Sequence, residues 1–281
     1  MKLQLISVPY ALGKEASGMG AGPDRVIATG LVDHLGARGH QVSALRLKLE
    51  EPFRNEVGAS FSLNRSLNSA VRSARESGAL PVVLTGSCLS AQGILAAAAQ
   101  RPVAVIWLDA HADFNTPETT VSGYLDGMAL AVTSGRGFHA LAHSLSGFEP
   151  IPDERLLLVG ARALDPLEAQ LLSQSGVARV DRDTFHELPK ALARLRSVTD
   201  AAYLHVDLDV LDPSEGQANE YLEKDGLSLS QLTSVAEQVS RQFKLFAVAF
   251  AAYDPSFDRE GRIARVPGKI LDDIAGAAGS T

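Results

Sequence analysis

The sequence predicts an α/β protein: a central, mostly parallel β-sheet of about eight strands with helices covering both faces. Short runs of β-branched and other apolar residues recur along the 281-residue chain. Ala/Leu-rich stretches with helical spacing separate them. The runs are apolar on both faces instead of alternating, as strands are when helices pack on either side.

Eight segments carry the strand signal: 3–8, 41–46, 81–84, 104–108, 156–159, 178–180, 202–209 and 246–252. Helical spacing marks 63–76, 91–99, 167–175 and 228–242. The glycine-rich SGMGAGP at 17–23 is a loop, but Pro23 stands where a dinucleotide fingerprint needs its last glycine, and PYALGKEA separates it from the first strand. It reads as a substrate-side loop, and no nucleotide cofactor is expected. No linker, charge run or repeat divides the chain, so one domain is expected over residues 1–281.

With 46% hydrophobic residues the chain can bury a sizeable core, and its 21% of charged residues is ordinary for a soluble protein. A formal net charge of −7 lacks the footprint of a nucleic-acid or anionic-membrane binder. The single cysteine calls for no oxidising compartment, and no long apolar segment marks a leader or membrane span. A cytoplasmic protein with a small-molecule substrate is the expectation.

In such sheets ligands bind beyond the carboxyl ends of the strands, and two stretches there carry chemistry. In VIWLDAHADFN (105–115), Asp109, His111 and Asp113 alternate, so an extended backbone would place all three on one face. In YLHVDLDVLDPS (203–214), His205, Asp207 and Asp209 repeat the pattern. Carboxylates capping neighbouring helices are the bland alternative. Four carboxylates and an imidazole crowded together call for about two divalent cations to offset their repulsion. The lone Cys88, in the turn TGSCLS (85–90), is by itself a buried filler, a nucleophile or a ligand.

The pattern Asp-Ala-His-x-Asp-x-Asn, then Thr-Pro-x-Thr-Thr-x-Ser-Gly, then x-Asp-x-Asp-x-Leu-Asp-Pro resembles the arginase/agmatinase (ureohydrolase) family. The likeness runs from residues 7–23 through VGARALDPLE (159–168) to AAYDPSFD (251–258). It implies a three-layer α/β/α fold and a binuclear manganese centre, where a water-derived hydroxide attacks a guanidinium carbon and releases urea and an amine. By resemblance Asp109 and Asp207 are the bridging carboxylates. His111 and Asp209 complete one metal, and Asp113 belongs to the other. Cys88 occupies the place of a ligand histidine, as it does in the branch that includes hydroxyarginine amidinohydrolase; manganese, one or two ions per chain, is the expected cofactor. Family members often form homo-oligomers.

The same resemblance assigns Asn115 and Ser122 to a substrate α-carboxylate and Asp165 to an α-amino group. Read alone, these are a turn former, a loop residue and a helix start. Tyr124 stands at a substrate-side asparagine and Asp126 at a proton-carrying histidine. His205 is expected to orient Asp207 or a bound water, the alternative being a packed core histidine. The glutamate that pairs with guanidinium corresponds to Ala252, and alternation would let Asp254 face the same side. These features imply a C–N hydrolase of a linear amidine other than arginine itself. The rival reading is a binding protein of the same fold without turnover.

Overall fold

The computed structural model describes residues 1–50, 53, 55–99 and 101–278. Its strands are β1 (Lys2–Val8), β2 (Tyr10–Ala11), β3 (Lys14–Glu15), β4 (Gln41–Arg46), β5 (Leu80–Thr85), β6 (Ala104–Leu108), β7 (Leu156–Val159), β8 (Ala178–Val180), β9 (Ala201–Asp207) and β10 (Lys244–Ala251). The short β2 and β3 form an antiparallel hairpin. The other eight make one parallel sheet in the order β4-β1-β5-β10-β9-β6-β7-β8.

Alternation along the strands feeds two cores. Leu3 and Leu5, Ile106 and Leu108, Leu204 and Val206 point to one face. Ile6 and Val8, Val105 and Trp107, and Tyr203 point to the other. The first face is covered by α1 (Gly22–Ile27) and α2 (Leu31–Ala37). On the second lie α3 (Glu56–Glu76) and α4 (Ala91–Ala96). A side cluster follows under α5 (Ala129–Thr133) and α6 (His139–Ala142). Next, α7 (Pro166–Ser173) joins the second face, and α8 (Leu188–Arg196), α9 (Leu229–Gln242) and α10 (Val266–Ala278) complete the first. The result is the three-layer α/β/α arrangement.

All eight expected strands form, with two corrections at the site. The run 202–209 stops as a strand at Asp207 and turns into a 3-10 helix at Leu208–Val210, because Asp207 accepts a hydrogen bond from the Asp209 amide. The run 246–252 begins at Lys244 and ends at Ala251, and Ala252 sits at φ +58°. Six helices, α1, α2, α5, α6, α8 and α10, lie outside the sequence reading. Leu188, Leu192 and Leu195 bury one face of α8, but Pro189 and the short span conceal the period. In α10, Pro267, Gly268 and Gly276 lower the local helix propensity.

The glycine-rich stretch at 17–23 is not the expected loop: Gly18–Ala21 forms a 3-10 turn that runs into α1. A Cβ on Gly86 would meet Gly20 N and Met19 C and O at 2.7 Å, so this turn lies directly on the Cys88 turn. Met19 reaches the cavity described next. Among the described residues no helix is long and apolar enough to cross a membrane.

Candidate metal centre

The four central strands β5, β10, β9 and β6 end side by side, and past their carboxyl ends opens a cavity of about 820 Å³. Cys88, Asp109, His111, Asp113, Asn115, Ser122, Tyr124, Asp126, Asp165, Asp207 and Asp209 all line it. Of the twelve site residues expected from sequence, only His205 does not.

Two sets of donor atoms converge, each within 4.8 Å: Cys88, Asp109 and Asp207 form one, and Asp109, His111 and Asp209 the other. Asp109 is common to both. Hydrogen bonds fix its two oxygens. Oδ2 accepts the Trp107 indole N–H at 3.1 Å, and Oδ1 accepts the His111 amide at 2.8 Å. Asp207 accepts the Asp209 amide on Oδ1 (3.0 Å) and the Cys88 thiol on Oδ2 (3.2 Å). Asp209 is held by the Ala110 amide and the Asn219 side chain, both at 3.2 Å. The His111 Nδ1 lies 3.3 Å from Asp109 and 3.4 Å from Asp209.

Alternation along a strand does not produce this convergence. Strand β6 ends at Leu108, and Asp113 adopts φ +49°, a left-handed conformation that aspartate tolerates better than most residues. Neither donor set takes in Asp113, yet its Oδ2 is buried and has no hydrogen-bond partner. A buried orphan carboxylate oxygen is costly without a cation.

Electrostatics show the same demand. Burial, then Asp109 and Asp126, push the Asp113 carboxyl well up. Asp207 is raised by burial, then by Asp209 and Asp109. The Cys88 thiol is raised by burial and by Asp207. Burial opposes charge on His111, but the hydrogen bonds to Asp109 and Asp209 outweigh it and push the ring up to about 12. The crowded acids therefore draw positive charge to this spot. A divalent ion fits a donor set of carboxylates, one imidazole and one thiol.

Asp126 is buried at the start of a 3-10 turn, and its Oδ1 accepts the Ser87 hydroxyl at 2.5 Å and the Leu89 amide at 3.2 Å. Burial outweighs these bonds and raises it to about 6. It is therefore no solvated loop aspartate. Asn115 donates to Asp165 at 3.1 Å and accepts from Thr119. Asp165 precedes Pro166 at the start of α7, so the helix-start reading and cavity placement hold together. Ser122 accepts the Tyr124 amide at the exposed rim.

Two expectations are corrected. His205 is fully buried and bonds Tyr203 through Nδ1 at 2.7 Å, leaving Nε2 without a partner. Its ring stacks on Trp107 with centroids 3.6 Å apart, so it backs the indole that holds Asp109 and has no hydrogen bond to Asp207. Burial lowers it to about 3, which keeps the ring neutral. Asp254 does not line the cavity either: its Oδ1 accepts the Ser256 amide, because Ala252 at positive φ breaks the alternation.

Several cavity residues escaped the sequence reading. Arg162 donates to six carbonyls (Lys224, Gly160, Val210, Asp209, Leu211 and Glu223) and so fastens the loop after β9 to the turn carrying Asp209. Asn219 bridges Asp209 and the Ala252 carbonyl. Glu168 accepts the Phe114 and Asp165 amides from inside the wall. Arg162 and Glu168 lie within VGARALDPLE, which was the available signal; nothing local marks Asn219.

Comparison with known proteins agrees with this geometry. Residues 1–276 match the profile of the Arginase family. The arginase of Bacillus caldovelox is 29% identical over 98% of this chain and 98% of its own length. The structure of the Bacillus cereus arginase superposes with a TM-score of 0.89 at 27% identity, covering 98% of this chain and 99% of that one. The formimidoylglutamase of Bacillus subtilis, at 18% identity and a TM-score of 0.80 over 98% of this chain and 86% of that one, shares the fold.

Proposed function

Since this chain belongs to the arginase family, we propose that it hydrolyses a C–N bond of a linear amidine or guanidino compound other than plain arginine. One or two divalent ions assist, manganese by preference, in a single domain spanning the chain. The observation that carries the reading is Asp109, a buried residue shared between two donor sets that line a cavity of about 820 Å³.

A divalent ion bound there polarises the amidine and makes water a usable nucleophile near neutral pH. The residues supply the rest. With ions bound, Asp109 and Asp207 would be the shared ligands, His111 and Asp209 would complete one site, and Cys88 and Asp113 would serve the other. Asp126, raised to about 6 and tied down through Oδ1, can take a proton from water and pass one to the leaving amine near neutral pH. Asn115, Ser122 and Asp165 offer a polar grip for an amino-acid end, and Tyr124 closes the reacting end. His205 acts at one remove, by bracing Trp107.

A guanidinium brought next to Ala252 would be desolvated without a counter-charge, which turns the site away from arginine. Cys88 and the DFNTPETT loop favour the branch typified by hydroxyarginine amidinohydrolase. The test is a urea-release screen over guanidino compounds, including N-hydroxy forms, on manganese-loaded and chelator-treated protein. Metal-dependent release of urea or hydroxyurea supports the reading. No release from any loaded sample favours a binding protein of the same fold.

A further inference from the structure

We propose that Tyr124 and Tyr221 form an aromatic wall that receives the planar, cationic end of the substrate on its π faces, in place of an ion pair. The inference rests on the amidine-hydrolase reading and names the recognition element within it. Three observations carry it. First, residue 252 is an alanine, and the carboxylate of Asp254 is turned to the Ser256 amide. Second, the Tyr221 and His111 rings are nearly perpendicular, with centroids 6.1 Å apart at 87°, and the Tyr124 ring lies 5.7 Å from Tyr221 at 40°. All three rings line the cavity. A reacting carbon must approach its nucleophile to about 3–3.5 Å. The His111 ring belongs to a donor set, and its centroid is 6.1 Å from that of Tyr221. A planar cation held against the Tyr221 ring beside the centre would therefore fall within the ~6 Å range of a cation–π contact.

Third, the wall is anchored to the centre. Asn219 accepts the Tyr221 amide at 2.8 Å while its own amide group holds Asp209 and the Ala252 carbonyl. The same side chain therefore ties the Tyr221 backbone to Asp209 and to the backbone of Ala252. Burial, then Asp126, push the Tyr124 phenol well above its usual range, so that ring stays neutral.

The experiment uses the full chain loaded with manganese and two probes of equal length, cationic L-arginine and neutral L-citrulline, titrated by calorimetry. The wild type should bind the cation more tightly than its neutral counterpart. Tyr221→Leu should reduce that preference by about 2- to 30-fold, whereas Tyr221→Phe, which keeps the ring, should retain it. An unchanged preference in Tyr221→Leu, an equal loss in Tyr221→Phe, or no preference in the wild type overturns the proposal. If Tyr221→Leu loses metal, Tyr124→Leu, whose ring stands one position further from His111, carries the same test. Because the readout is binding, an absence of urea release would remove the hydrolase reading and leave the wall standing. Urea release with an unchanged preference would do the reverse.

Discussion

Replacing Trp107 by Phe tests how the centre is held. The indole N–H donates to Asp109 Oδ2 at 3.1 Å in a fully buried setting, and the His111 amide holds the other oxygen. A hydrogen bond to a charged group is worth about 1.5–3 kcal/mol. Its loss lets the shared carboxylate rotate, so manganese affinity should fall about 10- to 100-fold, the range seen when groups that orient metal ligands are removed. The substitution also shrinks a ring stacked 3.6 Å from His205, and packing alone should cost about 1–3 kcal/mol of stability. Two assays separate these effects. Denaturant unfolding of metal-free protein reads the packing loss, and manganese titration of folded protein reads the orientation of Asp109. Reduced stability with an affinity within about twofold of wild type would refute the argument, since affinity should change by at least tenfold. Trp107 would then be core packing and nothing more.

Three further perturbations follow. Arginine should be turned over poorly by the wild type, and Ala252→Glu should lower the KM for arginine by restoring a counter-charge; brisk urea release from arginine by the unmodified protein would sink this. Cys88→His should raise manganese affinity at the set shared with Asp109 and Asp207, because imidazole suits this ion better than a thiolate; superimposable titrations would make Cys88 a bystander. Away from the site, Arg136 binds Asp153 with both arms at 2.8 and 2.7 Å and holds its carboxyl below the usual 3.8. The folded value being the lower one, this stabilisation of about 1–2 kcal/mol is present above pH 4 and is lost as pH falls through the folded value. Asp153→Asn should therefore be destabilising at pH 6 and progressively less so below pH 4, and a gap independent of pH would contradict the assignment.

The inner strands are legible in the sequence because both their faces are buried, which leaves apolar runs; the edge strand β4 is largely exposed and carries a weaker signal. In α10, glycines at 268 and 276 weaken the helical signal, and it is not legible by the same test. At the site, the residue types and spacing mark the cavity, but the alternation argument supplies the wrong geometry. Asp113 reaches it through a left-handed backbone, and Asp209 through a 3-10 turn held by the Asp209 amide on Asp207, neither of which periodicity encodes. His205 shows the converse. It shares the alternating pattern of Asp207, yet lies within β9, where the register puts it beside Trp107 in the core. Asn219 and Tyr221 lie on the long loop after β9, and no short-range pattern could have placed them, whereas Arg162 sits in a motif whose likeness was visible but whose contacts were not.

The most direct measurement is the manganese stoichiometry of wild-type and Asp109→Asn protein, each titrated under identical conditions and checked for folding by circular dichroism. Asp109 is the one residue present in both donor sets. The account predicts saturable binding of one or two ions by the wild type and loss of all tight binding in the folded variant. Retention of the wild-type stoichiometry and affinity by Asp109→Asn would contradict it.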